Sequence, residues 1–251
     1  MMSCIQTPVR DLLGYLGLPV LVTLVTVTAF HSHPWPVPVA AQAAMFSWFI
    51  VAPVLVLGGL GVALSSRVGF PSAPAISDGV AWLRLALWTV VPGLALGAAF
   101  LLQDATLHLI EGATRASGVT WINVALPSSI GHYTAAAVML ESIYRIIPIS
   151  ILTWVLSSAI LRNRWQAQVF WILALSTSMI EPASQSVLFA PNPASVGLVL
   201  ATFGINLFEA DGFRRFGWPA PILFRVAFYG VWHVFGPYLF PPGSFIWPGP
   251  H

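Results

Sequence analysis

Four ionisable side chains lie inside stretches of sequence apolar enough to cross a lipid bilayer, and their types are those that perform acid–base chemistry. They are Glu141, Arg145, Glu181 and His233. A charge at the centre of a lone helix costs about 2.5 to 3.5 kcal/mol on insertion scales, so such a group usually faces a partner or a water-filled cavity. The sequence therefore predicts that these residues meet in a polar pocket inside the membrane, and they are its candidate catalytic residues.

Glu141 and Arg145 stand four residues apart in the segment LESIYRIIP, which places them one above the other on one helical face. Pro148 has no N–H to donate to the carbonyl of Tyr144, so a backbone acceptor is left beside Arg145. Three interpretations stay open. The pair fixes helix packing, or Glu141 activates a water molecule as a general base, or the pair belongs to a path for ions or protons.

Glu181 lies in the segment SMIEPASQS, directly before Pro182 and within about a turn of Ser178 and Ser184. Small hydroxyl residues allow close helix contact and supply hydrogen bonds in an apolar medium. One interpretation puts Glu181 at a water-exposed helix break. The other makes it a second carboxylate facing the same cavity as Glu141, as half of an acid–base pair or as a ligand of a divalent cation. The sequence leaves a metal cofactor undecided.

His233 lies in FRVAFYGVWHVFGP, with Tyr229 one turn earlier and Arg225 two turns earlier. A lone histidine on a helix is more often a hydrogen-bonded packing residue than a catalytic one, and both interpretations stay open. Arg225 is nearer the end of its apolar run, where a long side chain reaches the headgroups. The other histidines considered are expected to be solvated loop residues: His31, His33, His108 and His132.

The composition indicates whether the chain folds in water or in a lipid bilayer. Hydrophobic residues make up 57% of the chain and charged residues only 7%, whereas about a quarter of a water-soluble domain is charged. The lipid bilayer is therefore the expected partner.

Ten basic residues against eight acidic ones give a net charge of +2, too little to hold a polyanion, so nucleic-acid binding is excluded. The single cysteine, Cys4, excludes an internal disulfide.

Seven apolar runs are long enough, or nearly long enough, to be membrane crossings. They are 12–30, 41–64, 80–102, 133–161, 167–188, 196–208 and 222–240. We therefore expect an all-α, polytopic transmembrane bundle of about seven helices. The fourth run should be kinked at Pro148, and the sixth is short. Asn206 in the sixth run is expected to pack or to hydrogen-bond across helices.

Arginines fall in the N-terminus and in alternate loops, and only the segment 103–118 with Arg115 breaks this pattern, which predicts a cytoplasmic N-terminus. These arginines are Arg10, Arg67, the pair Arg162 and Arg164, and the pair Arg214 and Arg215. The segment 103–117 has the pattern of an amphipathic helix on the outer surface. A basic complement made only of Arg, with abundant Ala, Gly and Pro, is typical of a GC-rich bacterial genome, so the expected location is a bacterial cytoplasmic membrane.

The order of elements from 133 to 240 resembles the CAAX protease and bacteriocin-processing (CPBP) family of intramembrane proteases. Glu141 and Arg145 match the second Glu and the Arg of the family motif EExxxR, and FEADGFRRFGW is similar to the basic turn before the family's last helix. YGVWHVFGP supplies His233 at the expected place. Leu140 replaces the first Glu, Met179 stands where the second motif has its His, and Pro237 replaces the last motif's Asn.

The resemblance implies an accessory layer of helices at 1–118 and a CPBP-like core at 119–251. It implies a peptidase that hydrolyses a peptide bond near the membrane, with Glu141 as base and with Glu181 and His233 completing a site for water or metal. The substrate would be a membrane protein or peptide. The alternative is a catalytically silent relative, a scaffold or subunit that binds another membrane protein.

Overall fold

A computed structural model describes residues 9–18, 20–22, 24, 48–75, 77–108, 123–124, 126–186 and 193–240. This part of the chain is almost entirely helical and contains no β-strand, which confirms the predicted all-α bundle. Its helices, in chain order, are α1 (9–18, with 20–22 and 24), α2 (Trp48–Ser65), α3 (Gly79–Leu107), α4 (Ser128–Ile160), α5 (Gln166–Ser186), α6 (Pro193–Phe216) and α7 (Pro219–Tyr229, continuing through Gly230–Phe235).

Four segments in the described part of the chain are long and apolar enough to cross a bilayer. They are Phe49–Val68, Gly79–Leu107, Ser128–Ile160 and Val196–Phe216. The protein is therefore an integral membrane protein.

Two sequence-based boundaries were wrong. The sixth run was expected to be short and to end at Phe208 before a basic turn, but α6 spans 24 residues and continues to Phe216. Glu209 and Asp211 end the hydropathy signal without ending the helix, because Glu and Asp are tolerated inside helices. Residues 103–107, expected in a separate amphipathic helix, belong to α3, which ends at His108 with φ of 50°. The remainder of that expected helix, from 109 on, lies outside the described residues.

Two of the candidate residues, Arg145 and His233, lie in π-helical turns that precede a proline. Pro148 follows a π-helical turn, Ser142–Ile146, and Pro237 follows another, Gly230–Phe235. Proline has no N–H for the carbonyl four residues earlier, so the regular α-helical bond to that carbonyl is missing at both places. Arg145 and His233 each lie in one of these turns, and π turns often occur at functional sites.

Glycine allows a close backbone contact between α3 and α7. A Cβ on Gly93 would lie 2.6 Å from the carbonyl oxygen of Phe224, and one on Gly97 would lie 2.6 Å from that of Phe228. Small residues four apart let two backbones approach in lipid, where there is no water-driven attraction between helices. This contact holds α7 against the bundle and so determines where its polar side chains lie.

Exposed arginines gather at one end of the bundle, which we call the basic end. Arg10 donates to the carbonyl of Ala73, Gln166 donates to the carbonyl of Val68, and the Arg214 guanidinium lies 5.2 Å from the Phe170 ring centre. These contacts bring the α2–α3 connection together with the α4–α5 and α6–α7 connections. The exposed arginines there are Arg10, Arg67, Arg84, Arg162, Arg164, Arg214 and Arg215.

Candidate functional site

A group of polar side chains from four helices meets in the interior of the bundle, and we call it the ionic network. Its members are Glu141 and Arg145 on α4, Glu181 on α5, Asn206 and Glu209 on α6, and Arg225 on α7. None of them is more than 4% exposed. Each helix presents its members at i, i+3 or i, i+4 spacing or as a single residue, so each contributes one narrow polar stripe.

Apolar residues close the network off on both sides. One buried cluster includes Ile146, Phe213 and Ile222, and the other includes Ala137 and Phe228. Their positions along α4, α6 and α7 bracket those of the network. The charges therefore interact in surroundings of low dielectric constant, where each pairing is strong and each unpaired charge is costly.

Arg225 is the centre of the network. Its Nη1 and Nη2 donate to the two oxygens of Glu181, both at 3.0 Å, which is a bidentate guanidinium–carboxylate pair. Nη2 also donates to Glu209 Oε2 at 2.8 Å and to Asn206 Oδ1 at 3.0 Å, and Nε donates to Glu141 Oε1. This one side chain therefore ties α7 to α4, α5 and α6.

Arg145 binds two of the same carboxylates, through the same oxygens as Arg225. Its Nη1 donates to Glu141 Oε1 at 2.8 Å, as the four-residue spacing predicted. Its Nη2 lies 2.8 Å from Glu209 Oε2 as an ion pair, and its Nε donates to the carbonyl of Asn206 at 3.3 Å. Two guanidiniums thus share Glu141 and Glu209 between them.

Asn206 forms hydrogen bonds across helices, which is one of the interpretations that the sequence left open. Its Nδ2 donates to the carbonyl of Ser178 at 3.1 Å, while its Oδ1 accepts from Arg225 at 3.0 Å. The amide therefore bridges α5 and α7 from α6.

The network contains three carboxylates and two guanidiniums. Both oxygens of Glu181 and of Glu209 have a guanidinium partner. Glu141 differs, because both arginines bind its Oε1, while its Oε2 is buried and has no hydrogen-bond partner among the described residues. Of the six carboxylate oxygens of the network, Glu141 Oε2 is the one left without a hydrogen-bond partner in the described structure, so it can accept a hydrogen bond from a water molecule.

His233 lies in a second buried group, which we call the histidine group. His233 Nδ1 is 2.7 Å from Asn123 Oδ1, a distance at which the Nδ1–H tautomer donates. The imidazole stacks on the Tyr133 ring, with centres 4.5 Å apart and planes at 3°. His132 and Trp232 complete the group through ring contacts with Tyr133 and His233.

The two groups are adjacent, and Tyr229 joins them. Its hydroxyl accepts from Arg225 Nη1 at 3.2 Å, and its ring centre lies 5.1 Å from that of His233. At a rise of 1.5 Å per residue, His233 lies about 12 Å along α7 from Arg225. The structure therefore brings Glu141, Arg145 and Glu181 together as expected and leaves His233 two turns away.

Two expectations about single residues were wrong. Arg225 does not extend to the headgroups: it is 4% exposed and holds three carboxylates, because their attraction exceeds that of the distant interface. His132 is not a solvated loop residue, since it is 4% exposed and lies in α4 against Tyr133. His108 is exposed, as expected.

Glu209 was missed by reasoning from the sequence. The sixth apolar run ends at Phe208, one residue before it, so hydropathy places Glu209 in a loop. The available signal was its spacing, because Glu209 is three residues after Asn206 and therefore on the same helical face.

The described residues contain no group of three or more His, Cys, Asp or Glu side chains arranged to hold a metal ion. The carboxylates of the network converge on guanidinium nitrogens instead of on a common centre. A scan against protein-family models, a search of curated proteins and a search of solved structures each found no match.

Proposed function

We propose that this protein is a divergent CPBP-like intramembrane peptidase that hydrolyses a peptide bond near the membrane, with Glu141 as its base. The observation that supports the proposal best is the geometry of Glu141. Two arginines fix the side chain through Oε1, and Oε2 has no hydrogen-bond partner in the described structure. A general base needs a fixed position and one free acceptor within reach of a water molecule.

The proposed reaction uses groups of the network and its neighbour Tyr229. Glu141 Oε2 accepts a proton from water, and the water oxygen forms a bond to the carbonyl carbon of the substrate. The resulting oxyanion accepts a hydrogen bond from the Tyr229 hydroxyl, whose oxygen is already held by Arg225. The C–N bond then breaks, and Glu141 returns the proton to the leaving nitrogen.

His233 has a different role in this proposal from the one that the family pattern implies. Because it lies two turns from Arg225, we assign it as a positioning residue that packs against the ring of Tyr229. The substrate must reach a carboxylate that is 0% exposed, so the active form requires α4 and α7 to separate locally. The π turns in both helices are places where such a change costs few additional hydrogen bonds.

The test compares Glu141→Gln with wild type in cells, by quantifying new N-termini of membrane proteins by mass spectrometry. We expect at least one cleavage product to disappear and its uncleaved precursor to accumulate. Asp211→Asn is the matched control, because it removes a carboxylate from a surface pair with Arg215. Identical N-termini in wild type and Glu141→Gln, at equal protein abundance, would exclude the peptidase.

The alternative is a catalytically silent CPBP-like membrane protein that acts as a scaffold or subunit for another membrane protein. The observation that favours it is that all three side-chain nitrogens of Arg225 donate hydrogen bonds to residues of other helices. Arg225 therefore holds four helices together. In that case crosslinking in membranes recovers a stoichiometric partner from wild type, and Glu141→Gln causes no precursor to accumulate.

We also propose that the protein resides in a bacterial cytoplasmic membrane with the N-terminus in the cytoplasm. The support is the gathering of the exposed arginines of the described residues at the basic end, since short cytoplasmic connections are rich in Lys and Arg.

A further inference from the structure

A pocket of about 320 Å³ opens at the basic end, outside the ionic network and the histidine group. It lies where α4 ends and α5 begins. Its walls are Ile160, Leu161, Arg162, Arg164 and Trp165. The pocket therefore combines two arginines with apolar and aromatic surface at the end of a membrane-spanning segment.

We propose that this pocket binds the phosphate headgroup of an anionic phospholipid. Its composition matches the two parts of such a ligand. Arg162 and Arg164 are exposed and can bind phosphate oxygens through planar guanidiniums. Ile160 is 63% exposed and Leu161 39% exposed, and both can contact the beginning of an acyl chain.

Trp165 indicates that the pocket lies at the depth of the lipid headgroups. Its side chain is 63% exposed and lies five residues after the end of Ser128–Ile160, a segment that is long and apolar enough to cross the membrane. Indole side chains favour the headgroup region, where an apolar ring and a polar N–H are both satisfied. Arginines beside such a ring lie at the level of the lipid phosphates, and basic side chains there attract anionic headgroups.

The connection that forms the pocket has a defined and unusual backbone. Arg162, Asn163 and Trp165 have φ values of 53°, 63° and 62°, in the left-handed region that side chains other than glycine and asparagine rarely adopt. Such conformations persist where the surroundings determine them, and they often mark ligand sites.

Hydrogen bonds hold this conformation in place. Asn163 N donates to the Ser157 carbonyl at 2.8 Å, and Ser157 Oγ donates to the Arg164 carbonyl at 3.2 Å. Arg164 N donates to the Leu161 carbonyl at 3.0 Å. The first turn of α5 follows directly, and free N–H groups at a helix start favour a nearby phosphate.

Native mass spectrometry of the detergent-purified full chain tests the proposal. The protein is supplied with equimolar phosphatidylglycerol and phosphatidylcholine, and bound lipid is counted as collision energy is raised. We expect phosphatidylglycerol to be retained at least about tenfold more than phosphatidylcholine, which corresponds to about 1.4 kcal/mol. Equal retention of the two lipids by wild type would overturn the proposal without any variant.

The double variant Arg162→Gln with Arg164→Gln should lose this preference. Its matched control is Arg67→Gln with Arg84→Gln, which removes the same charge from exposed positions at the basic end outside the pocket. Loss of the preference in the control to the same extent would mean general attraction by the basic end and would overturn the site. If the pocket variant fails to fold, the comparison of phosphatidylglycerol with phosphatidylcholine on wild type still tests the proposal.

A third measurement separates a lipid from a free phosphate. Inorganic phosphate is titrated against wild type in detergent, and the melting temperature is followed. We expect no shift at millimolar phosphate and a clear shift with phosphatidylglycerol. A phosphate-induced shift that disappears in the pocket variant would assign the pocket to a soluble phosphate and overturn the lipid assignment.

Discussion

At the scale of single residues, the interior of this membrane protein depends on two arginines. A buried ion pair adds little compared with apolar residues of the same shape, but removing one partner leaves an uncompensated charge that costs several kcal/mol. Arg225 is the extreme case, because Glu141, Glu181 and Glu209 all depend on it. Glu141 is the opposite case, since one of its oxygens has no hydrogen-bond partner in the described structure.

Arg225→Ala is expected to lower the free energy of unfolding by about 3 to 5 kcal/mol, because it leaves buried carboxylates without their guanidinium partner. Thermal unfolding in detergent, followed by tryptophan fluorescence, measures the change. Arg215→Ala removes a guanidinium that is 60% exposed and pairs with Asp211, so its effect is expected to stay within about 1 kcal/mol. Equal melting temperatures for the two variants would contradict the central role of Arg225.

Glu141→Gln and Glu181→Gln are expected to differ in stability. In Glu141→Gln the amide oxygen keeps both arginine bonds at Oε1, and the NH₂ group takes the unpartnered position while the charges become balanced. We expect a change within about 1 kcal/mol. Glu181→Gln replaces one oxygen of a bidentate pair by a donor facing a donor, and a cost of about 1.5 to 3 kcal/mol follows. The same unfolding assay compares them, and a reversed order would show that Glu141 Oε2 has a partner.

At the scale of elements, glycines and prolines place the polar stripes. Gly93 and Gly97 let α7 lie against α3, and the π turns before Pro148 and Pro237 rotate Arg145 and His233 relative to a regular helix. None of these glycines and prolines takes part in the proposed reaction, yet each affects where a polar side chain lies.

Gly97→Ala is expected to destabilise the protein by about 1 to 3 kcal/mol, because its Cβ would lie 2.6 Å from a backbone oxygen that cannot move alone. Gly204→Ala is the matched control in another helix, since nothing lies within 4 Å of its added Cβ. There we expect no loss, or a gain of up to about 1 kcal/mol from helix propensity. The melting temperatures of the two variants test this, and a loss in Gly204→Ala equal to that in Gly97→Ala would contradict the close contact.

At the scale of the whole molecule, the arginines divide into two populations. Of those that the structure describes, two are buried in the ionic network and the others are exposed at the basic end. The buried ones hold helices together. The exposed ones support the proposed orientation and, at the α4–α5 connection, line the pocket proposed for a phospholipid.

Cysteine labelling tests the proposed orientation. Cys4 is the single native cysteine, and Ser66 is exposed at the basic end. In intact cells we expect a membrane-impermeant maleimide to leave wild type unlabelled, and also Ser66→Cys in a Cys4→Ser background. Permeabilised cells should show labelling of both. Labelling of Ser66→Cys in intact cells would place the basic end outside and reverse the orientation.

The sequence by itself determined that the chain folds in a lipid bilayer and that its fold class is all-α. It also identified the candidates Glu141, Arg145 and Glu181, and the pairing of Glu141 with Arg145. These follow from composition and from local spacing, because a bilayer penalises every charge and a helix has a fixed period. Only the tertiary structure decided that Arg225 lies at the centre, that Glu209 completes the network and that His233 lies apart. Those facts depend on how α4, α5, α6 and α7 pack together, and contacts between residues far apart in the sequence have no local signature in hydropathy.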